Sequence, residues 1–166
     1  MCIVALAWQV LDEFPVCLIS NRDEFYHRPT SQLHHWSESP IVAGQDLQSG
    51  GTWMGITEQG RWAVVTNYRD GNDQVGYPTS RGHLIQAFLE SEQTPIRFAQ
   101  QLEKTQRNYA GFNLFLGDLQ QAVYMSNRGE APQVLSKGVF VVSNGLMSDD
   151  WEKTKHLRKR FTQEFL

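Results

Sequence analysis

Cys2 stands directly behind the initiator Met1 and opens the apolar run Cys2-Ile3-Val4-Ala5-Leu6-Ala7-Trp8. Removal of Met1 would leave a thiol and a free α-amine on one residue. Thiolate sulfur is the strongest nucleophile among the side chains, and an N-terminal amine, with a pKa of about 7.7–8.0, can shuttle a proton near neutrality. Together they are a complete nucleophile and base, on the condition that Met1 is lost. The plainer alternative is a small buried residue at the start of a strand, a frequent place for a free cysteine. No basic segment and apolar stretch precede Cys2, so nothing resembles a secretory or lipoprotein signal, and a cytoplasmic location is expected.

The elements flanking Cys2 decide what surrounds it. Apolar runs at 2–10 and 16–20 enclose the turn-like segment Leu11-Asp12-Glu13-Phe14-Pro15. An antiparallel register centred near Asp12-Glu13 pairs Trp8 with Cys17 and carries Cys2 toward Asn21-Arg22-Asp23-Glu24. A charged quartet is thereby expected beside the thiol, against the alternative of a solvated strand end. The same register puts Cys2 six residues from the Trp8–Cys17 pair, roughly 20 Å at 3.3 Å per residue. That is far beyond the Cα limit of about 7 Å for a disulfide, so two free thiols are expected.

With 166 residues and 40% hydrophobic content, the chain suits one domain, 1–166, with a real core. A net charge of −3 argues against nucleic acid as a partner, and no apolar run is long enough for a transmembrane segment. A small molecule is the expected ligand.

Strands are expected at Ile41-Val42-Ala43-Gly44, at 52–56 and at 61–67, with Glu58-Gln59-Gly60 as a tight connection. Gly50-Gly51 leads into a strand and lacks the helix N-terminus and Lys that hold phosphates, so nucleotide binding is discounted. Leu84, Ile85, Phe88 and Leu89 share a helical face. Thr94-Pro95 suits an N-cap and first turn ahead of Ile96, Ala99 and Leu102. Strand patterns resume at 112–116, 122–125 and 139–143.

The segment from Asp149-Asp150-Trp151 onward opens with acidic capping residues and spaces Leu157, Phe161 and Phe165 at helical intervals. Its cations Lys153, Lys155, Arg158, Lys159 and Arg160 read as a solvated face. No capping glycine or proline follows Leu166, so the segment reads as cut within an element. His27, His34 and His35 cluster in an expected loop beside Trp36. Their spacing is not the i, i+4 pattern of a helical metal site, and no Cys-x-x-Cys-His motif exists for haem, so no cofactor or metal is expected. Of the five tryptophans, Trp36 and Trp53 are the pocket candidates; the usual role of such residues is core packing.

Several strings together resemble one family: Asn21-Arg22-Asp23-Glu24-Phe25 with Arg28-Pro29-Thr30, Ala43-Gly44-Gln45-Asp46-Leu47, Gly50-Gly51-Thr52-Trp53-Met54-Gly55 and Thr66-Asn67-Tyr68-Arg69. Ser80-Arg81-Gly82, Gly111-Phe112-Asn113-Leu114, Ser143-Asn144 and Trp151 to Lys153 continue the match along nearly the whole chain. The chain is similar to the transport and Golgi organisation protein 2 family, also named for its Asn-Arg-Asp-Glu signature. Members resemble cysteine-type N-terminal-nucleophile hydrolases such as penicillin V acylase, bile-salt hydrolase and acid ceramidase. The resemblance implies an α+β fold, an αββα sandwich, here expected to be truncated at its C-terminus.

It also implies a catalytic set. Cys2, Arg22, Asp23, Asn67 and Asn144 fit the positions of the amidase group, with Arg22 and Asp23 spaced differently from the amidases. Cys2 would attack an amide or ester carbonyl, Asp23 would orient the amine, and Arg22 would help keep the thiol ionised. Asn67 or Asn144 would donate to the oxyanion, a role worth about 3 kcal/mol per donor; turn or strand-end capping is the alternative for both. Asn21, Trp36, Trp53, Arg69 and Arg81 are the candidates for substrate contact. The amidases also carry an arginine on a late strand, which is expected either to be missing here or to be replaced by Arg69 or Arg81. A second function implied by the family is a non-catalytic binding or trafficking role for lipid or haem on the same fold.

Overall fold

The computed structural model describes residues 2–71 and 76–165. Whether Met1 is removed therefore lies outside the described residues. Along the chain run β1 (Ile3–Trp8), β2 (Val16–Asn21), β3 (Thr30–His35), β4 (Ile41–Asp46), β5 (Met54–Thr57) and β6 (Trp62–Asn67). Two helices follow, α1 (Gly82–Leu89) and α2 (Pro95–Glu103), then β7 (Phe112–Gly117), β8 (Ala122–Ser126), β9 (Glu130–Val134), β10 (Gly138–Val142) and α3 (Glu152–Phe165). The strands form two antiparallel sheets, ordered β10-β1-β2 and β3-β4-β5-β6-β7-β8-β9.

Alternation along the central strands assigns each side chain to one of three apolar layers. From β1, Val4, Leu6 and Trp8 meet Trp62, Val64, Phe115 and Tyr124 between the two sheets. Its intervening Ala5 and Ala7 face α3, packing with Val141 and Phe161. On the far side of the larger sheet, Ala63, Val65, Leu114 and Met125 pack with Leu84, Ile85, Phe88 and Ala99 of α1 and α2. The layers therefore stack helix, sheet, sheet, helix. A strand buried on both faces has no polar alternation, which is why 2–8 reads as a continuous apolar run.

The β1–β2 hairpin forms as expected, but its register is shifted by one. Trp8 lies opposite Val16 and Ile3 opposite Asn21, so Cys17 pairs with Ala7 instead of Trp8. A one-residue slip exchanges the faces of a strand. In the observed register Leu18 joins the inter-sheet layer while Cys17 and Ile19 turn toward α3. Both cysteines are free thiols.

Two edge strands have no counterpart in the expected set. β3 is polar and almost wholly exposed, and its register shifts between Ser31 and His34. His34 and His35 accordingly lie on a strand, where a loop was expected. β9 carries Pro132, which a sheet tolerates at its edge because no ladder donor is needed on the outer side. At the start of α2, Thr94 occupies the N-cap ahead of Pro95 but makes no side-chain cap bond. Asp149, expected to cap α3, instead accepts the Leu146 amide at 2.7 Å and closes the preceding turn.

One buried polar residue ties the layers together. Asn113 on β7, 1% exposed, donates through Nδ2 to the carbonyls of Gly145 at 2.8 Å and Ser143 at 3.3 Å and to Thr66 Oγ1 at 3.2 Å. Its Oδ1 accepts the Tyr124 hydroxyl at 2.9 Å. The larger sheet is thereby fastened to the chain just past β10. Asn113→Ala is expected to lower stability by about 3 kcal/mol, because partners on three segments lose hydrogen bonds inside the core. Urea unfolding followed by tryptophan fluorescence measures it; a change under 1 kcal/mol would show that water replaces the amide.

Candidate active site

Cys2 precedes β1 by one residue and is half-buried on the wall of a polar cleft of about 100 Å³. Arg22, Asp23 and Glu24 line the same cleft, since Ile3 opposite Asn21 is the last pair of the hairpin and the quartet continues past it. Asn67, Trp53 and Arg81 line it as well. Of the expected catalytic set, Cys2, Arg22, Asp23 and Asn67 are thus brought together.

The charges in the cleft are organised by Asp46, at the end of β4. Its Oδ2 accepts Arg28 Nε at 2.7 Å and Arg22 at 3.2 Å, while Oδ1 accepts the amides of Gln48 at 3.0 Å and Ser49 at 3.2 Å. Burial alone would push this carboxyl up. The Arg28 hydrogen bond, the two loop amides and the Arg28 charge outweigh it and hold the group below its usual range. Arg22 also lies 3.6 Å from Glu24 and stacks over the Trp53 ring at 4.5 Å. Its guanidinium, expected to act on the thiol, is held by two carboxylates and an aromatic face.

The other wall comes from strand ends. Ser143 Oγ donates to the Cys2 carbonyl at 2.7 Å, fastening the residue that carries the thiol. Asn144, 1% exposed, donates through Nδ2 to the Asn67 carbonyl at 2.8 Å, and its own carbonyl accepts the Arg69 amide at 2.9 Å. Asn144 does not line the cleft; it holds Asn67 in place. The Asn67 carboxamide itself makes no hydrogen bond among the described residues and remains available in the cleft. The two asparagines therefore differ in what they can do.

Four further expectations resolve by position. Asn21 is exposed at the end of β2 and outside the cleft. Trp36 is core: it is 9% exposed, packs against Ile41 and Leu89, and donates Nε1 to the Ala43 carbonyl at 3.3 Å. Arg69 lies outside the cleft, near Lys153. Arg81, at the N-cap of α1, donates to the Gly111 carbonyl at 2.8 Å. Lys153 is not part of a solvated face. It is half-buried, donates to Asn144 Oδ1 at 3.4 Å and stacks over Trp151 at 4.5 Å. Burial lowers its pKa, the Arg69 charge lowers it further, and Cys2 raises it.

Arg28, Asp46, Ser49, Ser143 and Lys153 were given no role from sequence. The motif strings containing them were the available signal; their mutual contacts cross between strands and have no spacing to read. Gly50-Gly51 serves close packing: a Cβ on Gly51 would sit 2.5 Å from the Gly82 carbonyl carbon, and the Thr52 amide donates to Gly82 O at 3.3 Å. A separate apolar groove of about 480 Å³ lies between β2 and the outer strands of the larger sheet, lined by Val16, Leu18, Leu33, Met54 and Ile56.

The four-layer sandwich is an N-terminal-nucleophile-hydrolase-like fold. A Caenorhabditis elegans ortholog of N-acylethanolamine-hydrolyzing acid amidase shares it, with a TM-score of 0.55 at 13% identity, covering 98% of this chain and 77% of that one. A profile described as Transport and Golgi organisation 2 matches residues 1–165. The chain belongs to that family. The Bos taurus Transport and Golgi organization protein 2 homolog is 35% identical over 153 residues, and the Homo sapiens homolog 34% over 151. Each alignment covers 84% of this chain and 54% of the relative, so the chain spans about half the length of these relatives. Among the described residues, no helix is long and apolar enough to cross a membrane.

The lowered Asp46 carboxyl sets a pH dependence. Its stabilising contribution is fully present above the unfolded value of about 3.9 and is lost as pH falls through the lower native value. Asp46→Asn is expected to cost about 2 kcal/mol at pH 7, with the difference from the parent vanishing in strong acid. Urea midpoints between pH 2 and 7 report this; a constant difference across the range would exclude it.

Proposed function

We propose that the protein is an N-terminal-cysteine amidohydrolase that cleaves an amide or ester bond of a small acylated compound. The carrying observation is the shared cleft of Cys2, Asp23 and the unpartnered Asn67 carboxamide. After loss of Met1, the Cys2 α-amine takes the thiol proton and the thiolate attacks the carbonyl carbon. Charge collects on the carbonyl oxygen, where Asn67 Nδ2 donates. The protonated amine passes its proton to the leaving nitrogen or oxygen as that bond breaks, leaving a thioester on Cys2. Water, deprotonated by the same amine, attacks the thioester and returns the thiol. Asp23 orients the amine, and Arg22, fixed between Asp46, Glu24 and Trp53, borders the scissile group.

At about 100 Å³ the cleft admits the reacting carbonyl and its nearest substituents, so most of a larger substrate lies outside it.

The apolar groove supports a second reading, a binding or trafficking protein for lipid or haem that performs no turnover. The two are separated by incubating purified protein with a panel of N-acyl amides and thioesters and reading intact mass. Hydrolysis predicts an acyl adduct on Cys2 of chains lacking Met1, no adduct in Cys2→Ala, and acylation slowed about 100-fold in Asn67→Ala. Adducts on chains that retain Met1 would remove the proposed base. Absence of any adduct, with Cys2→Ala still binding its ligand and rescuing function, would establish the second reading.

A further inference from the structure

The two sheets differ in width, three strands against seven, and the excess falls on one side. β1 lies over β6, β7 and β8, so β2 is the last strand of the smaller sheet on the side where β5, β4 and β3 continue. The groove of about 480 Å³ fills that step, with Val16 and Leu18 on its flank and Leu33, Val42, Met54 and Ile56 on its floor. An edge strand offers a row of unpaired backbone donors and acceptors, and proteins ordinarily blunt such edges. Three of the four edges here are blunted. β3 is polar and bulged, β9 holds Pro132, and on β10 the Val139 carbonyl accepts Arg158 from α3. β2, Val-Cys-Leu-Ile-Ser-Asn, has no charge, no proline and no break in its register. The Gln9 amide donates to the Pro15 carbonyl, so by antiparallel alternation the backbone groups of Val16, Leu18 and Ser20 point away from β1. On that outer side no strand among the described residues pairs with them.

We propose that the outer edge of β2 and the groove beside it form an acceptor site for one added strand, an extended peptide segment with apolar residues at alternate positions. Its backbone pairs with Val16, Leu18 and Ser20 as a fourth strand of the smaller sheet, and every second side chain enters the groove. The step has the width for this, because neighbouring strands lie about 4.8 Å apart and three strands of the larger sheet continue on that side. A whole second copy does not fit. In an antiparallel pairing of two β2 edges, each copy brings its β3 and β4 into the space that the other's already occupy. What fits is a strand with no sheet of its own behind it. The Bos taurus and Homo sapiens relatives contain a source of such a segment, since the alignment takes in only 54% of their length. Polypeptide corresponding to their unaligned part is the occupant. A strand seated there fills the groove that a bound lipid would need, and its seat does not depend on the hydrolase reading.

The test uses the full chain and overlapping peptides of about 12 residues, twice a usual strand, that cover the part of the Bos taurus relative outside the alignment. Amide hydrogen exchange of the isotope-labelled chain is followed by NMR with each peptide in excess. One peptide is expected to slow exchange at Val16, Leu18 and Ser20 by about tenfold or more, while the amides of β7 stay as they were. Val16→Pro removes one outward donor at a position that an edge tolerates, and Ile56→Asp puts a charge on the exposed floor of the groove. Each is expected to weaken the peptide by about tenfold or more, and either serves if the other does not fold. If no peptide slows these amides, or the slowing persists in both folded variants, the inference is overturned. Light scattering that shows the chain alone pairing, with the same amides protected, makes a second copy the occupant and overturns it as well. So does palmitate that moves the Leu18 and Ile56 methyl signals while no peptide binds.

Discussion

The site depends on the buried carboxamide of Asn113 more than on any single charged group. The two sheets meet through apolar side chains, and apolar contact is non-directional, so it does not by itself fix how far one sheet slides on the other. Asn113 supplies the missing direction. By donating to the carbonyls just past β10 and accepting from Tyr124, it locks the Ser143–Gly145 segment to β7 and β8 at hydrogen-bond precision. Ser143 in turn holds the Cys2 carbonyl, and Asn144 holds that of Asn67. Cys2 and Asn67 come from different sheets, and one cross-layer network sets their separation.

A cleft with three arginines and three carboxylates could behave as an ion-rich surface patch, worth little because water screens it. Here the pairing is partly buried and directional. Arg28 and Arg22 converge on one oxygen of Asp46, while its other oxygen orders the loop that carries Ser49. Guanidiniums suit this because their planar forks keep geometry while sharing an acceptor. The result is a wall in which Arg22 and Arg28 are paired in place, so that it gives the cleft a fixed shape.

The layer architecture was legible because burial on two faces leaves a strong trace. β1, β6, β7 and β8 read as apolar runs, and α1 and α2 showed the helical spacing that their packing requires. β3 and β9 left almost none: an edge strand of polar residues or one holding Pro132 is stabilised by its ladder, which a single sequence does not display. The hairpin register missed by one residue for a related reason. Its loop spans residues 9–15, long enough that several registers close it, and what selects Trp8 opposite Val16 is the fit of Leu18 against the other sheet. Within the site, Cys2 and the Arg22–Glu24 cluster were visible from local sequence. Lys153 was misplaced because a basic helix usually is solvated, and only the path of the chain from β10 into α3 brings that one lysine inward.

Cys2 lies ahead of the first strand, a position where residues are ordinarily poorly ordered. The fold answers it with the strand that follows. Val4, Ala5 and Leu6 are 0% exposed, and β1 is hydrogen-bonded on both sides, to β2 and to β10. Fixing Cys2 then requires ordering only the one residue beyond a strand that the core already holds, at about 1–2 kcal/mol for its backbone. Its carbonyl bond to Ser143 offsets much of that. A flexible tail would leave the same thiol unordered in the folded protein, whereas here the ordering cost is met once, on folding. The central position of β1 in its sheet, more than the identity of the neighbouring charges, holds the residue just before it, Cys2, in a fixed place.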